Sequence, residues 1–444
     1  MFTEPSGQDL SQAPVTPQID NHHQARHLRK VATSVVLGTT IEWYDFMLYG
    51  AAAATVFGPL FFPGADPVAS ILLSFSTFAV GFAARPLGGI IFGHFGDILG
   101  RKKMLVLSLT LMGVATVCMG LIPDYSTIGA WAPILLVTLR LIQGFGVGGE
   151  WGGAVLTAIE HAPPNKRGLF GSLPQIGVPA GLVLSTLAFL AVSQLPEDQF
   201  LSWGWRIPFV ASAILVAVGM YIRVSLEETP DFKSVQKSGH ASKIPALDAI
   251  RRYPAQILLA IVAVMGSGIY FYSITTYSIS YATTAGVLSR SDMLLALLIS
   301  SAVMIFALPL FGQLSQKQGA RPFVVWGLLL LGIWIFPVFG AINTGNLGLT
   351  ILAFVGHAII FAVSYGALST FVAEIFPAEI RYSGSSIAFQ AGVLLGGAIA
   401  PLLATSLVKL TGTVLSVCIY AAVFAVIGAI AAAAISRRKN ADRT

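Results

Sequence analysis

Charge is the scarcest thing in this chain. Of 444 residues only 10% are Asp, Glu, Lys or Arg, against roughly 25% in a soluble domain. That is too little to dress a water-facing surface, and it excludes a soluble enzyme. Cysteine is nearly absent as well. Cys118 and Cys418 both lie in apolar runs and read as packed thiols, which excludes a disulfide-stapled secreted scaffold. No metal-ligand cluster, nucleophile triad or haem spacing occurs, and His22, His23 and His27 fall in a polar N-terminal stretch. No apolar run precedes Val31, so residues 1–28 read as a disordered tail and not as a cleavable signal peptide.

Apolar residues are abundant: 55% of the chain is hydrophobic, with 45 glycines and 28 phenylalanines, and the mean hydropathy is +0.78. At about 20 residues per bilayer crossing, there is room for twelve crossings. The apolar runs place them at 31–58, 68–95, 103–122, 132–159, 169–194, 205–225, 255–284, 292–315, 322–342, 347–373, 384–408 and 413–435. Lipid offers backbone groups no partners, so such runs must be helices; barrel strands would be about ten residues long with polar alternation.

The net charge of +6 takes its meaning from position. Arg26, Arg29 and Lys30 precede crossing 1. Arg101, Lys102 and Lys103 follow crossing 2, Lys166 and Arg167 follow crossing 4, and six basic residues from Arg223 to Arg252 surround the loop after crossing 6. Lys317, Arg321, Arg381 and the Arg437-Arg438-Lys439 end continue the series. The opposite connections hold only Arg206, Arg290 and Lys409. By the positive-inside rule both termini are expected in the cytoplasm, and no nucleic-acid partner is needed to explain the basic excess.

The chain also repeats. Gly93-His-Phe-Gly-Asp97-Ile-Leu-Gly100-Arg101-Lys102 has a worn copy ending at Gly319-Ala320-Arg321, where Gln316 and Ala320 replace an acid and a base. Glu160, Pro163, Arg167 and Ser172 recur at the same spacing as Glu374, Pro377, Arg381 and Ser386. Both offsets are about half the chain. The expected organisation is a cytoplasmic tail 1–28, a six-helix bundle 29–226, a cytoplasmic interdomain loop 227–253, a second bundle 254–436 and a tail 437–444. Duplicated halves about a midplane site describe a rocking carrier.

Ionisable residues inside the spans are the candidate machinery, since a charge at mid-bilayer costs about 2.5–3.5 kcal/mol on insertion scales. Glu42, Asp45 and Tyr49 share one helical face. Burial disfavours an ionised carboxylate and a nearby arginine favours it. A group held between those effects can carry a proton; Asp45 is the first choice and Glu42 the second. A fixed ion pair joining helices is the other reading. Arg85 reads as an anchor for a substrate carboxylate or as the partner of Asp45. Asp97 can pair with a base or cap a neighbouring helix, making a lock with Gly93, Gly100, Arg101 and Lys102, and Glu160 is expected to lock to Arg167. Glu150 stays open between a cavity-facing and a structural place. In the second half Tyr272, Trp334, Tyr365 and Gln390, with Gln175 from crossing 5, can offer hydrogen bonds to a polar solute, although packing is the first reading of the aromatic residues. His357 can titrate or bond to backbone. The glycines from Gly144 to Gly153 follow no strand and no lysine-serine pair, so they serve helix contact and not phosphate binding.

Gly93-x-x-x-Asp97-x-x-Gly100-Arg101-Lys102 resembles the signature loop of the major facilitator superfamily. Glu42-Trp-Tyr-Asp45-Phe, Arg85-Pro-Leu-Gly-Gly, Arg140-x-x-Gln143-Gly and Ser202-Trp-Gly-Trp-Arg206 resemble its metabolite:proton symporters. The resemblance implies an all-α membrane protein of 12 transmembrane helices in two pseudo-symmetric six-helix bundles, a multi-pass protein of the bacterial inner membrane. It implies uptake of a small polar metabolite with protons by alternating access, with Arg140 as a coupling residue and asymmetric gating where Gln316 replaces the acid. It also implies no enzymatic activity and no cofactor, only a proton gradient, with a lone chain as the working unit. Arg85 favours an organic acid. A proline- or betaine-type osmolyte is second, because no coiled-coil extension is expected beyond Lys439. A drug exporter is third, and a channel or membrane enzyme is a different class.

Overall fold

The computed structural model describes residues 21–63, 67–238 and 245–435. Among them there is no strand. Twelve long helices follow in order: α1 Asn21–Thr55, α2 Pro67–Leu99, α3 Arg101–Leu121, α4 Trp131–His161, α5 Arg167–Val192 and α6 Arg206–Val224, then α7 to α12. Helix α7 runs Pro254–Tyr272 and continues through a wide turn, Ser273–Tyr277, into Ser278–Thr284. Next come α8 Arg290–Gln318, α9 Ala320–Asn343 and α10 Leu347–Glu374. Helix α11 runs Arg381–Val393 and resumes after a wide turn at Leu394–Ala398 as Ala400–Thr411, and α12 is Leu415–Ala434. Ten of these stretches, all but α1 and α2, are individually long and apolar enough to cross a membrane.

Helix ends have local causes. Ser289 and Asp292 form a capping box at α8, and the Asn346 side chain accepts from Leu349 N at 3.1 Å to start α10. The two short reversals of the repeat are built alike: Gly100 (φ 109°, ψ 153°) separates α2 from α3, and Gly319 (φ 87°, ψ 152°) separates α8 from α9. Glycine adopts that conformation without the penalty a Cβ would bring.

The halves pack alike as well. Helix α1 lies on α5, α2 on α4 and α3 on α6; α7 lies on α11, α8 on α10 and α9 on α12. The halves meet where α5 packs on α8 and α2 on α11. Large apolar side chains such as Phe306, Ile214 and Leu410 stay exposed on the outer faces, a surface that suits lipid and not water.

Three expectations need correction. Residues 21–28 are the first turns of α1 and not part of a disordered tail, and the His27 ring lies 5.2 Å from the His161 ring; residues 1–20 and 436–444 lie outside the described residues. The 227–253 segment contains two short helices, Pro230–Ser238 and Pro245–Arg252. Arg223, counted with the loop after crossing 6, is buried inside α6.

Candidate functional site

A cavity lies between the halves. Glu42 and Trp43 of α1, Arg85 of α2 and Trp151 of α4 meet Ser267, Phe271 and Tyr272 of α7, Phe361 and Tyr365 of α10, and Phe389 and Gln390 of α11 around it. Helix contact sets the position of Arg85. A Cβ on Gly148 would strike the Arg85 carbonyl, and one on Gly144 the Gly81 carbonyl, so α2 and α4 touch backbone to backbone only because those residues are glycine.

The Arg85 guanidinium is caged by rings, its central carbon 4.3 Å from the Phe46 centroid, 4.8 Å from Phe82 and 5.9 Å from Trp43. Its Nε and Nη2 have no hydrogen-bond partner, nor do the Tyr272 hydroxyl, the Ser267 hydroxyl and the Gln390 amide oxygen. Arg85 is thus not the ion-pair partner of Asp45. Trp151 stacks on Phe389 at 3.6 Å, and its indole N–H donates to Gln175 Oε1 at 3.2 Å, so Gln175 sits behind the wall and not on it.

Asp45 is fully buried inside the first bundle, away from the cavity lining. Thr116 donates to its Oδ2 at 2.8 Å and accepts from Gln143 Nε2 at 2.7 Å, while Gln143 Oε1 accepts from Arg140. The Arg140 guanidinium lies 4.0 Å over the Tyr49 ring, and the Tyr49 and Thr77 hydroxyls are 2.5 Å apart. Tyr49 therefore belongs to this cluster and not to the cavity. A second buried cluster settles the place of Glu150: it is ion-paired with Arg223, accepts from Ser108 at 3.0 Å, and Arg223 also donates to Leu105 O at 2.8 Å. Trp334 lies elsewhere, its indole donating to Ala353 O at 3.0 Å between α9 and α10. His357, buried, meets the Tyr270 hydroxyl at 3.3 Å and not backbone.

The end that carries the basic connections is closed by bonds between the halves. Asp97 accepts from Tyr382 N (3.3 Å), Ser383 N (3.0 Å) and Ser383 Oγ (2.9 Å), capping α11, and pairs with Arg101 at 3.2 Å. Glu160 meets Arg101 at 3.6 Å and Arg381 at 3.3 Å. Arg167 is exposed, so the expected Glu160–Arg167 lock is replaced by one that crosses between halves. Arg381 also meets Asp231 at 2.8 Å, Glu374 is exposed at the end of α10, and Glu228 accepts from the backbone of Arg101 and Lys102 at the start of α3. Gln316 holds the mirror position of Asp97: its Oε1 accepts from Gly168 N at 2.5 Å and its Nε2 donates to Pro164 O at 2.8 Å, a neutral cap on α5.

Known proteins match this arrangement along nearly the whole chain. The family described as "Sugar (and other) transporter" matches residues 31–247, and "Major Facilitator Superfamily" matches residues 288–443. The shikimate transporter of Escherichia coli (strain K12) is 40% identical over 88% of this chain and 91% of its own. The chain belongs to the major facilitator superfamily. Inner membrane metabolite transport protein YhjE of the same strain is also 40% identical, over 84% of this chain and 87% of its own. The proline/betaine transporter of Salmonella typhimurium is 37% identical over 94% and 84%. Among solved structures, the proton:xylose symporter XylE bound to 6-bromo-6-deoxy-D-glucose superposes with a TM-score of 0.77 at 18% identity, covering 92% of this chain and 95% of that one. This protein is thus a multi-pass membrane transporter, not an enzyme, related to metabolite carriers.

The residues that sequence reasoning passed over are mostly aromatic. Trp43, Trp151, Phe361 and Phe389 line the cavity, yet in a chain with 28 phenylalanines no spacing distinguishes a wall from packing. Arg223 carried a usable signal: it follows a continuous apolar run, as Arg85 and Arg140 do.

Proposed function

We propose that this superfamily member imports a small organic acid together with protons across the bacterial inner membrane, by alternating access about the cavity between its halves. The observation that carries the reading is Arg85: a buried guanidinium facing the cavity, held by rings that accept no strong hydrogen bond, with two N–H-bearing atoms unpartnered. Such a group lacks an oxyanion, and a carboxylate takes it bidentately. Glu42 lines the same cavity, so an arriving carboxylate and an ionised Glu42 repel, and anion and proton enter together. Asp45, three residues on, sits within electrostatic reach of Arg140 and forms the second proton site of α1. The cytoplasm lies at the basic end, with both termini there. With that end closed, the cavity loads from outside. One chain holds every wall of the cavity and is the working unit, and the proton gradient is the energy source in place of any cofactor.

A zwitterionic osmolyte is the second reading. It is favoured by the aromatic lining beside Glu42, which suits a quaternary ammonium by cation–π attraction, and by the likeness to a proline/betaine transporter.

The test is uptake into proteoliposomes under an imposed pH gradient, with labelled shikimate, malate, proline and glycine betaine. Accumulation of an acid, collapsed by a protonophore, is expected. Arg85→Lys should lower acid uptake by about tenfold or more, since losing a charged bidentate contact costs about 1.5–3 kcal/mol. Unchanged acid affinity in Arg85→Lys would overturn the assignment.

A further inference from the structure

Gln390 occupies an unusual place among the cavity residues. It comes from α11, in the second half, but its Nε2 donates to Gly148 O at 3.1 Å, with Val147 O at 3.5 Å, on α4 of the first half. Two carbonyls can only accept, so they fix which end of the carboxamide faces them. The oxygen end is left over. Gln390 Oε1 is buried and has no hydrogen-bond partner, in a side chain that lines the cavity. A Cβ on Gly89 would lie 3.1 Å from Gln390 Cγ, so the stem is held by α2 as well.

The unpartnered atoms of the cavity are not alike. Arg85 Nε and Nη2 only donate. The hydroxyls of Tyr272 and Ser267 donate or accept, and so adapt to whatever arrives. Gln390 Oε1 only accepts. A ligand that satisfies the whole set therefore presents an oxyanion to Arg85 and a hydrogen-bond donor to Gln390.

We propose that Gln390 Oε1 is a specificity determinant that selects carboxylates bearing a hydroxyl, the donor it accepts from, over carboxylates that lack one. The inference rests on the organic-acid reading and narrows it. A carboxylate without a donor leaves a buried amide oxygen unsatisfied, and sites built to hydrogen-bond a hydroxyl reject the analogue without it far more strongly than apolar pockets reject a missing methylene. Glycine betaine, whose nitrogen carries no hydrogen, falls in the rejected group.

The experiment measures affinity by calorimetry on purified full-length protein for matched pairs: shikimate against cyclohex-1-ene-1-carboxylate, and malate against succinate. In each pair the hydroxylated member should bind at least about tenfold tighter, in line with the cost of one unsatisfied buried acceptor. Gln390→Met should bring that ratio within about twofold, by weakening the hydroxylated member alone. The ratio is taken on one preparation, so partial misfolding of a variant does not move it. A ratio near one in the unaltered protein, or a ratio preserved in Gln390→Met, overturns the role of Gln390 and leaves the organic-acid carrier standing if both members bind and Arg85→Lys weakens both. No binding of any carboxylate overturns the two together.

Discussion

Replacing Asp97 tests how the closed end is held. Its carboxylate accepts three hydrogen bonds from the first turn of α11, at 2.9–3.3 Å, and every one of them spans the two halves. They exist only while that end is shut, so they weight the closed state against the open one by their full differential value. Removing an N-cap side chain costs about 0.5–2 kcal/mol, and hydrogen bonds to a charged group about 1.5–3. A net loss of about 2 kcal/mol moves the open-to-closed ratio roughly thirtyfold. Asp97→Asn keeps one acceptor oxygen for the two Ser383 bonds but loses the charge and the longer Tyr382 bond, so a smaller shift of about threefold is expected. Gln316→Ala removes a neutral cap worth about 1 kcal/mol and should shift the ratio about fivefold. The reporter is a cysteine at Ser386, buried in the α4–α11 seam where a Cβ on Gly152 would meet its hydroxyl, in a chain with Cys118 and Cys418 replaced by alanine. Its alkylation by an impermeant maleimide, applied from the basic side, should quicken in the order Asp97→Asn, Gln316→Ala, Asp97→Ala. An Asp97→Ala rate equal to the unaltered protein, or equal to Asp97→Asn, would refute the reasoning.

Two further outcomes are expected. Arg223→Leu or Glu150→Leu alone leaves an uncompensated buried charge and should cost about 3–5 kcal/mol, whereas the double replacement should recover much of that loss; thermal unfolding in detergent reads all three, and equal losses in single and double variants would dismiss the pair. Asp45→Asn and Glu42→Gln should each abolish accumulation driven by a pH gradient while leaving counterflow exchange, which needs no net proton transfer. Accumulation that survives either change removes that residue from the proton path.

The helices were legible because lipid tolerates little else: the apolar run 103–122 became Arg101–Leu121, and 322–342 became Ala320–Asn343. The start of α1 was not, because residues 21–30 are polar and their helix is held by contacts such as His27 with His161, which no apolar period announces. Among candidate residues, an ionisable group inside an apolar run is conspicuous for its cost, so Glu42, Asp45, Arg85 and Arg140 stood out at once. Their partners did not. Glu42 and Asp45 are three residues apart and therefore about 60° apart around α1, enough to aim one at the cavity beside Arg85 and the other at Thr116 on α3. Glu160 found Arg381 and not Arg167 for a related reason: seven residues along the chain looked nearer than the other half, yet the α4–α5 reversal turns Arg167 outward to solvent.

The two halves repeat in backbone but not in charge, and the difference bears on how they move. Every buried charged side chain among the described residues belongs to the first half: the acids Glu42, Asp45, Asp97, Glu150 and Glu160, and the arginines Arg85, Arg101, Arg140 and Arg223. Burying ions is costly singly and tolerable where they compensate one another, so concentrating them in one bundle lets Glu150 serve Arg223 and Glu160 serve Arg101 without help from across the cavity. The second half faces them with neutral groups, among them Tyr272, Tyr365, Gln390 and Gln316, whose hydrogen bonds are exchanged with water at small net cost. Arg381 is the exception. It brings a positive charge to a first half in which five buried acids outnumber four arginines, and it does so only through contacts that parting of the basic end must break. Parting of the basic end therefore takes a positive charge away from Glu160 and leaves that buried carboxylate to Arg101 alone, so the cost of opening falls on the first half.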